Sequence, residues 1–375
     1  MIKCEDFYNL LIKNEIDFFC GVPDSLLKYP IAYISDHTME NKNIITANEG
    51  NAIALVAGYH LATGRIGMVY MQNSGEGNAI NPLTSLTDKK VYSIPLLLLI
   101  GWRGEPGKKD EPQHIKQGEV TKSLLDILGI PYSIMPESIE ETHYIISEAV
   151  KYMKKQNSAY AIIVKEEIFE PYILINKSEK SDSISREDAL RLVIDQLTSQ
   201  DIIVSTTGKL SRELFEYREE LKQNHNGDFL TVGSMGHCSQ IALGIAISKP
   251  TRNVYCFDGD GAVIMHMGSL AIIGSQKSEN FKHIIFNNGA HDSVGGQVTV
   301  GFQIDIPAIA KACGYNSVFE AKTKEEITKK INLLKTIKGP SLLEIKIRKG
   351  ARQNLGRPTI SPKENKKAFM DFIRK

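Results

Sequence analysis

The sequence has few of the features that mark membrane, secreted or nucleic-acid-binding proteins. Its longest apolar run, residues 94–100, is far shorter than the roughly 20 residues that a transmembrane helix needs. The five cysteines are scattered, with neither a Cys-x-x-Cys pair nor the Cys/His spacing of a zinc site. The net charge is only +1 with 24% charged residues, so no nucleic-acid or membrane partner is predicted. The N-terminus lacks a signal-peptide pattern, and we therefore expect a reduced, cytoplasmic protein.

The chain of 375 residues is long enough for two domains, each with its own core. Apolar strand-like runs alternate with helical patterns, which is typical of βαβ units and parallel sheets. A polar, Ser/Lys-rich stretch, residues 175–184, is predicted to be a linker. We predict an α/β protein with two doubly wound parallel-sheet domains, residues 1–174 and 185–375. The predicted strands are 17–20, 43–46, 67–71, 96–100 and 159–164, then 201–204, 228–231, 254–257, 283–286 and 341–345.

Two short motifs follow predicted strands of the second half at a fixed separation. Gly259-Asp260-Gly261 is followed, after 25 intervening residues, by Asn287-Asn288. In an open α/β sheet, ligands bind where strands end. Carboxylate and amide oxygens suit Mg²⁺, and glycines allow the backbone to approach an anion closely. Together the motifs predict a magnesium ion held against a diphosphate. Cys256, inside one of these strands, is expected to be apolar core.

The joint pattern resembles the signature of thiamine-diphosphate-dependent enzymes. The resemblance implies thiamine diphosphate and Mg²⁺ as cofactors, with Asp260, Asn288 and the carbonyl of Ala290 as metal ligands. It also implies a pyrimidine-binding domain followed by a diphosphate-binding domain, without a middle domain. In this family the cofactor lies between domains of two chains, so at least a homodimer is expected. The residues expected to bind the cofactor are Glu49, Thr207, Gly208, Met235, Gly236, Gly259, Asp260, Gly261, Ala262 and Asn288.

Glu49 is the expected catalytic acid of the first domain. Residues 46–64 resemble the family's glutamate motif, and a helix is predicted from about Gly50 to Ala62. From its position alone, Glu49 could be an ordinary acid favoured by the helix dipole. The flanking Gly-Asn-Ala favours the family role, in which a glutamate protonates the aminopyrimidine ring and its amino group becomes the internal base. Burial would raise the pKa of such a carboxylate.

Two turns of the second domain resemble the parts of the family that hold the cofactor. Residues 206–209 follow a strand and precede a helix, so Thr207 and Gly208 could donate to a phosphate, although a plain turn fits them equally well. Residues 233–236 precede a small-residue helix, 239–246. Met235 matches the bulky residue that holds the cofactor in its bent shape. A flexible core methionine is the alternative interpretation.

The loops after the strands resemble those of phosphonopyruvate decarboxylases, with sulfopyruvate decarboxylases nearest to them. The resemblance covers residues 21–358 and departs at Cys238, Val298 and Asn354. It implies decarboxylation of 3-phosphonopyruvate to phosphonoacetaldehyde in phosphonate biosynthesis. Sulfopyruvate is an alternative substrate because both tails are tetrahedral anions, although the fused chain favours phosphonopyruvate. A non-catalytic cofactor-binding subunit is a second alternative, and a nicotinamide enzyme is disfavoured because no Gly-x-Gly-x-x-Gly opens a helix.

The chemistry of a 2-oxo acid with a phosphonate tail asks for a proton donor and for groups that bind anions. His114 and His291 are the candidate donors because histidine titrates near neutral pH. Asp24 and Ser25 match positions at which related decarboxylases contact substrate. Arginine and lysine or neutral hydrogen-bond donors would hold the acid groups. The candidate substrate contacts are Asn73, Ser74, Arg103, Lys109, Gln113 and His114.

Overall fold

The computed structural model describes residues 1–175 and 183–375, and the chain divides into two compact units, Met1–Ser178 and Glu179–Lys375. Each unit contains one six-stranded sheet whose strands all pair in parallel. The predicted fold class is thereby confirmed. Most of the predicted linker, 175–184, lies outside the described residues, and the predicted domain boundaries stay a prediction. Within the described residues, no helix is both long and apolar enough to cross a membrane.

The first unit consists of six strands and six α-helices. The strands are β1 (Phe19–Gly21), β2 (Asn43–Ile45), β3 (Met68–Gln72), β4 (Leu97–Gly101), β5 (Tyr132–Ile134) and β6 (Tyr160–Val164). The helices are α1 (Cys4–Lys13), α2 (Lys28–His37), α3 (Glu49–Thr63), α4 (Glu76–Pro82), α5 (Pro112–Ile127) and α6 (Ile139–Gln156). The order across the sheet is β2-β1-β3-β4-β6-β5, which places β3 and β4 at its centre.

The second unit repeats this plan with eight helices. The strands are β7 (Ile202–Ser205), β8 (Asp228–Leu230), β9 (Val254–Gly259), β10 (Phe281–Asn287), β11 (Ser317–Ala321) and β12 (Ser341–Lys346). The helices are α7 (Arg186–Ile194), α8 (Lys209–Glu220), α9 (Cys238–Ser248), α10 (Asp260–Met265), α11 (Ser269–Gln276), α12 (Ile306–Ala312), α13 (Lys324–Thr336) and α14 (Pro362–Ile373). The order is β11-β12-β10-β9-β7-β8, with β9 and β10 adjacent at the centre.

Successive residues of a strand point to opposite sides of the sheet, and apolar clusters cover both sides of each sheet. Along β4, Leu97 and Leu99 belong to one apolar cluster and Leu98 belongs to another. Along β9, Tyr255 and Cys256 are separated in the same way. Burial on both faces explains why the central strands are continuous apolar runs rather than alternating ones.

The structure adds two strands that the sequence pattern did not predict, β5 and β11. Both are edge strands whose short sequences mix polar and apolar residues, so they lack the continuous apolar run that identified the central strands. The other two edge strands, β2 and β8, were predicted. A serine directly before a helical pattern predicts an N-cap at Ser185, and this is confirmed, since its side chain accepts a hydrogen bond from the Asp188 N–H. The motif at Gly259-Asp260-Gly261 was expected to lie where a strand ends and a loop begins, but Asp260 directly begins α10.

Candidate active site

Polar side chains collect where the parallel strands of each unit end. In a parallel sheet these ends share one edge, where open α/β folds bind ligands. In the first unit, residues that follow β2, β3 and β4 are Glu49, Asn73 and Arg103. In the second unit, residues that follow β7, β9 and β10 are Thr206, Asp260 and Asn288. The sequence-predicted candidates therefore lie at the correct edge of each sheet for ligand binding.

Glu49 is a buried carboxyl at the first position of α3. The Asn48 side chain caps the helix by accepting from the Asn51 N–H at 3.0 Å. Glu49 is 5% exposed, and its Oε2 accepts a 2.8 Å hydrogen bond from Asn78 Nδ2. Burial raises the pKa of Glu49, and the bonds from Asn78 and from a backbone N–H oppose this rise. Such a carboxyl can share a proton with a ring nitrogen.

Gly75 makes room for the Glu49 carboxyl. A Cβ atom at this position would lie 2.3 Å from Glu49 Oε1, so no side chain fits there. Gly50 is comparably confined, because its Cβ would lie 2.8 Å from the carbonyl oxygen of Asn78. Gly75 and Asn78 were not predicted from the sequence, although both follow β3 closely, in the same segment as the candidates Asn73 and Ser74.

Glu76 is a second buried acid that sequence reasoning missed. It is 3% exposed, and its Oε2 receives a long 3.4 Å contact from Gln117 Nε2. Its Oε1 has no hydrogen-bond partner among the described residues. Burial raises the pKa of Glu76 to about 8, against smaller opposing bonds from Gln117 and Thr121. Glu76 is therefore mostly protonated at neutral pH.

This buried proton predicts a pH dependence of stability. The pKa of Glu76 rises from 4.5 to about 8 on folding, so the folded protein holds this proton more tightly than the unfolded chain. The free energy of unfolding should fall as pH rises between these two values, by up to about 1.4 kcal/mol for each pH unit. Glu76→Gln removes the titration, and its melting temperature should fall less between about pH 5 and pH 8 than that of wild type.

The matched control is Glu119→Gln, an exposed glutamate of α5. Its melting temperature should follow the wild-type pH profile. Parallel profiles for wild type and Glu76→Gln would contradict a buried, protonated Glu76.

Arg103 and Asp110, in the loop after β4, form one network with His114 in the first turn of α5. Arg103 Nε donates to Asp110 Oδ2 at 2.9 Å, and its Nη1 donates to Ser25 Oγ at 2.8 Å. His114 Nδ1 lies 2.9 Å from Asp110 Oδ1. Burial alone would raise the pKa of Asp110, but the bonds from Arg103 and His114 hold it well below its ordinary value. The carboxylate therefore fixes the Nδ1–H form of His114 and leaves Nε2 for a substrate.

Asn73 ties this network to the end of β3. Its Nδ2 donates to the Arg103 carbonyl at 2.8 Å and to Thr121 Oγ1 at 2.9 Å. Asp24 is fully buried behind the loop, where it accepts from the Leu26 N–H at 3.0 Å and from Gln72 Nε2 at 2.7 Å. Burial raises the pKa of Asp24, while the Gln72 bond opposes the rise. The structure thus brings together Ser25, Arg103, His114 and Asn73. Asp24 lies buried beneath them, where it holds the backbone of Leu26 and the side chain of Gln72.

The remaining substrate candidates of this unit lie at the rim of the same loop. Ser74 is exposed and donates to Gln72 Oε1 at 2.8 Å. Lys109 is exposed and lines a shallow pocket beside Arg103. Gln113 is half-buried, and its Oε1 has no partner among the described residues. These groups provide one cation and neutral hydrogen-bonding atoms near His114.

Asp260 and Asn288 meet at the ends of β9 and β10. Asp260 is 2% exposed, and its Oδ1 accepts from the Asn288 N–H at 3.4 Å. Its Oδ2 accepts a short hydrogen bond from Thr299 Oγ1, a residue that the sequence did not single out. Burial raises the pKa of Asp260 to about 6, partly offset by the Thr299 bond. A buried carboxylate with an amide beside it is the donor set that Mg²⁺ prefers.

Beside Asp260, the surrounding loop leaves space only for the backbone of Gly301. A Cβ on Gly301 would lie 2.6 Å from Asp260 Oδ2 and 2.7 Å from Asn287 Oδ1. Ala290 pairs with Val298 across a small antiparallel turn, which keeps the backbone of Ala290 near Asn288. Both polar atoms of the buried Gln297 side chain have no partner among the described residues. The oxygen atoms of Asp260 and Asn288 fit a metal ion, and the unsatisfied atoms of Gln297 fit a polar group bound beside it.

The glycine turns predicted to hold the cofactor converge in the second unit. Thr207 Oγ1 accepts from the Gly233 N–H at 3.1 Å, which joins the turn after β7 to the turn after β8. Gly208, at φ 105°, caps α8 and lies against Ser293. A Cβ on Gly261 would meet His291 at 3.0 Å and the methyl of Met235 at 3.5 Å.

Two further histidines border Gly236, which lies at φ 82°. A Cβ on Gly236 would lie 2.6 Å from His266 Cδ2 and 3.1 Å from the carbonyl of Ala262. The rings of His237 and His266 are 4.5 Å apart. Burial lowers the pKa of His266, and burial also lowers the pKa of His291 to about 4. Both rings are therefore neutral at neutral pH, which makes His291 a better acceptor than donor of a proton.

Two arginines of the second unit are held by acids of the same unit. Arg352, in the C-terminal segment, has its Nε 3.1 Å from Glu187 Oε2, and its guanidinium also pairs with Glu216. Arg186, the first residue of α7, is buried against Glu213 at 2.8 Å and reaches Asp292 Oδ2 at 3.1 Å. The Arg186–Asp292 pair holds the loop that follows Asn288.

Two family models match the chain, and together they define the class of protein. Residues 4–125 match the N-terminal TPP binding domain of thiamine pyrophosphate enzymes, and residues 206–345 match the C-terminal TPP binding domain. Thiamine pyrophosphate is another name for thiamine diphosphate. The matched regions contain Glu49, Asp260 and Asn288.

Similar proteins of known activity narrow the class. Phosphonopyruvate decarboxylase of Streptomyces viridochromogenes is 34% identical over 100% of this chain and 95% of its own length. That of Streptomyces hygroscopicus is 33% identical over 99% and 94%. Sulfopyruvate decarboxylase of Methanosarcina acetivorans is 27% identical over 98% and 97%. The chain therefore belongs to the thiamine-diphosphate-dependent decarboxylases, in the family that includes phosphonopyruvate decarboxylase.

Proposed function

We propose that this enzyme decarboxylates 3-phosphonopyruvate to phosphonoacetaldehyde and carbon dioxide, with thiamine diphosphate and Mg²⁺ as cofactors. The observation that carries the substrate assignment is the full-length similarity to two phosphonopyruvate decarboxylases. The product would enter phosphonate biosynthesis, toward 2-aminoethylphosphonate. A non-catalytic role is disfavoured because the chain keeps both Glu49 and the Asp260–Asn288 pair.

The cofactor would be held by groups of both kinds of domain. Asp260, Asn288 and the Ala290 carbonyl would ligate Mg²⁺. When bound, thiamine diphosphate supplies the electron sink for loss of carbon dioxide. Glu49, with its raised pKa, would hold the proton that the pyrimidine ring needs. Met235 would support the bent shape of the cofactor. The turns that would hold its diphosphate contain Thr207, Gly208, Gly236, Gly259, Gly261 and Ala262.

Residues that follow β4 would bind the substrate and supply the proton that replaces carbon dioxide in the product. His114 is the stronger candidate donor because the Asp110 carboxylate, 2.9 Å from its Nδ1, orients the ring. His291 is the weaker one because burial keeps it neutral. Arg103 already pairs with Asp110, so its charge is largely compensated. We infer that Lys109 supplies a cation, with Asn73, Ser74, Ser25 and Gln113 as neutral hydrogen-bonding groups.

Sulfopyruvate remains the competing substrate. The fused single chain does not separate the two activities, since the sulfopyruvate decarboxylase of Methanosarcina acetivorans also matches over 97% of its length. The decisive experiment compares carbon dioxide release from phosphonopyruvate, sulfopyruvate and pyruvate, with thiamine diphosphate and Mg²⁺ present. We expect a preference for phosphonopyruvate that is lost on chelation. Preference for sulfopyruvate would overturn the substrate assignment. Absence of carbon dioxide release from all three compounds would overturn the proposed activity.

Gly75→Ala should inactivate the enzyme without touching substrate directly. The new methyl group would lie 2.3 Å from Glu49 Oε1 and displace the carboxyl from its place. We expect kcat to fall by roughly 100-fold, since general acid–base groups contribute about 10²–10⁴ when correctly placed. Gly77→Ala is the matched control, because a Cβ there meets nothing within 4 Å. Equal activity of the two variants would refute the requirement for Glu49 placement.

The expected homodimer can be tested by mixing two inactive variants. If each cofactor site takes Glu49 from one chain and Asp260 from another, a mixed dimer of Glu49→Gln and Asp260→Ala chains contains one intact site. Co-refolding the two variants should restore activity, whereas refolding either one alone should not. Absence of recovery, with mixed dimers confirmed by mass spectrometry, would count against a shared site.

A further inference from the structure

A buried group of metal-binding side chains lies outside the site described above. Cys256 and Asp258 are two residues apart on β9, and His283 of β10 is the register partner of Cys256. All three side chains therefore project from the same face of the sheet. One ligand atom of each lies within 4.8 Å of the others, and each residue is at most 1% exposed.

A fourth donor lies beside this group. The thiol of Cys238, the first residue of α9, is 3.6 Å from the Cys256 thiol and is fully buried. In a tetrahedral zinc site with Zn–S bonds of about 2.3 Å, two sulfur atoms are about 3.8 Å apart. His283 Nε2 and Asp258 Oδ2 are 3.5 Å apart, close to the roughly 3.4 Å expected for two ligands at about 2.1 Å. Both pairs have the spacing of ligands to one ion.

One polar atom of the cluster lacks a hydrogen bond within the described residues. His283 Nε2 is buried without a hydrogen-bond partner, although Asp258 Oδ2 lies 3.5 Å away. The Cys238 thiol donates to the Val204 carbonyl at 3.2 Å, a bond that it would give up on binding a metal as a thiolate. The other nitrogen of His283, Nδ1, lies 3.2 Å from the Tyr315 hydroxyl, the kind of outer contact that orients a metal-binding imidazole. A buried polar group without a partner is costly, so a ligand for Nε2 is expected.

We propose that Cys256, Asp258 and His283, completed by Cys238, form a structural binding site for one zinc ion. Mixed thiolate, imidazole and carboxylate donors favour Zn²⁺ over Mg²⁺, which prefers oxygen alone. Burial raises the pKa of the Cys256 thiol, and zinc binding would release its proton. Zinc binding would release the Cys238 proton as well, so two thiolates and the Asp258 carboxylate would carry one negative charge more than the ion neutralises.

The site would connect two segments that carry the cofactor-binding groups. Asp258 is two residues before Asp260, and its Oδ1 accepts from the Gly259 N–H at 3.0 Å. Cys238 is three residues after Met235. An ion held by both would fix the end of β9 against the start of α9. The role is one of positioning, and it does not depend on which 2-oxo acid the enzyme uses.

Metal analysis of the holoenzyme tests this site directly. Protein expressed with zinc and purified with thiamine diphosphate and Mg²⁺ is dialysed against EDTA, and zinc is measured by mass spectrometry. We expect one zinc ion per chain in wild type and its loss in Cys256→Ala. Cys20→Ala is the matched control, because Cys20 is also fully buried and donates to a backbone carbonyl, that of Ala52. Zinc missing from wild type, or equal in both variants, would overturn the proposal.

A second measurement needs no variant, in case Cys256→Ala fails to fold. X-ray absorption at the zinc edge of wild type reports the atoms bound to the ion. Sulfur in the first coordination sphere supports the site, whereas oxygen and nitrogen ligands alone overturn it, because the Asp260 site contains no sulfur ligand.

Discussion

Glu49→Gln should remove most of the decarboxylase activity and leave cofactor binding largely intact. Glutamine keeps the size of glutamate and can still accept the hydrogen bond from Asn78, so the start of α3 should not change. It cannot hold the proton that burial favours on Glu49. We expect kcat to fall by about 10²–10⁴, the usual contribution of a general acid–base group. Steady-state carbon dioxide release and calorimetric binding of thiamine diphosphate measure the two effects separately.

The control for this variant is Glu5→Gln. Glu5 also lies in the first turn of a helix, α1, but it is exposed. If Glu49 only complemented a helix dipole, both variants would lose a few tenths of a kcal/mol of stability and little activity. Near-wild-type turnover by Glu49→Gln would therefore remove Glu49 from the mechanism.

Asp260→Ala should weaken binding of the cofactor rather than slow the chemical step. Asp260 is buried beside Asn288 and Thr299, and without its carboxylate Mg²⁺ would lose its charged ligand in this pair. Changes to outer contacts of metal sites typically weaken binding by about 10–100-fold, so loss of a direct ligand should exceed this range. Binding of thiamine diphosphate, measured at several Mg²⁺ concentrations, should become weak and nearly independent of the metal.

Asp371→Ala tests whether this effect is specific to the site. Asp371 is an exposed aspartate of α14 in the same unit. Its substitution should leave Mg²⁺-dependent cofactor affinity unchanged. Retained Mg²⁺-dependent affinity in Asp260→Ala would contradict the metal site and the ligand assignment of Asn288 with it.

The central strands were predictable because burial on both faces demands long apolar runs. Residues 96–100 and 254–257 show this pattern directly, and the strands lie within one or two residues of those positions. The strands β5 and β11 were not predicted because their short sequences mix polar and apolar residues, whereas the other two edge strands, β2 and β8, were predicted. The same local logic explains the cap at Ser185, whose hydrogen bond is made within one turn.

Some residues of the candidate site could also be predicted from the sequence, whereas others could not. Glu49, Asp260 and Asn288 occur in short motifs whose spacing is visible along the chain. The partners that tune them come from distant segments. Thr299 bonds Asp260 from 39 residues away, and Asn78 bonds Glu49 from 29 residues away. No local pattern predicts such contacts.

The fold class, the cofactor family and the strand ends that carry the candidate residues can be predicted from the sequence. They depend on apolar periodicity and on motifs of a few residues, which are local properties. Which polar groups are buried together becomes visible only in the folded chain, as in the raised pKa of Glu76 and the grouping of Cys238, Cys256, Asp258 and His283. The physical reason is that burial and ligand geometry depend on how strands and helices pack, which brings together side chains far apart in the chain.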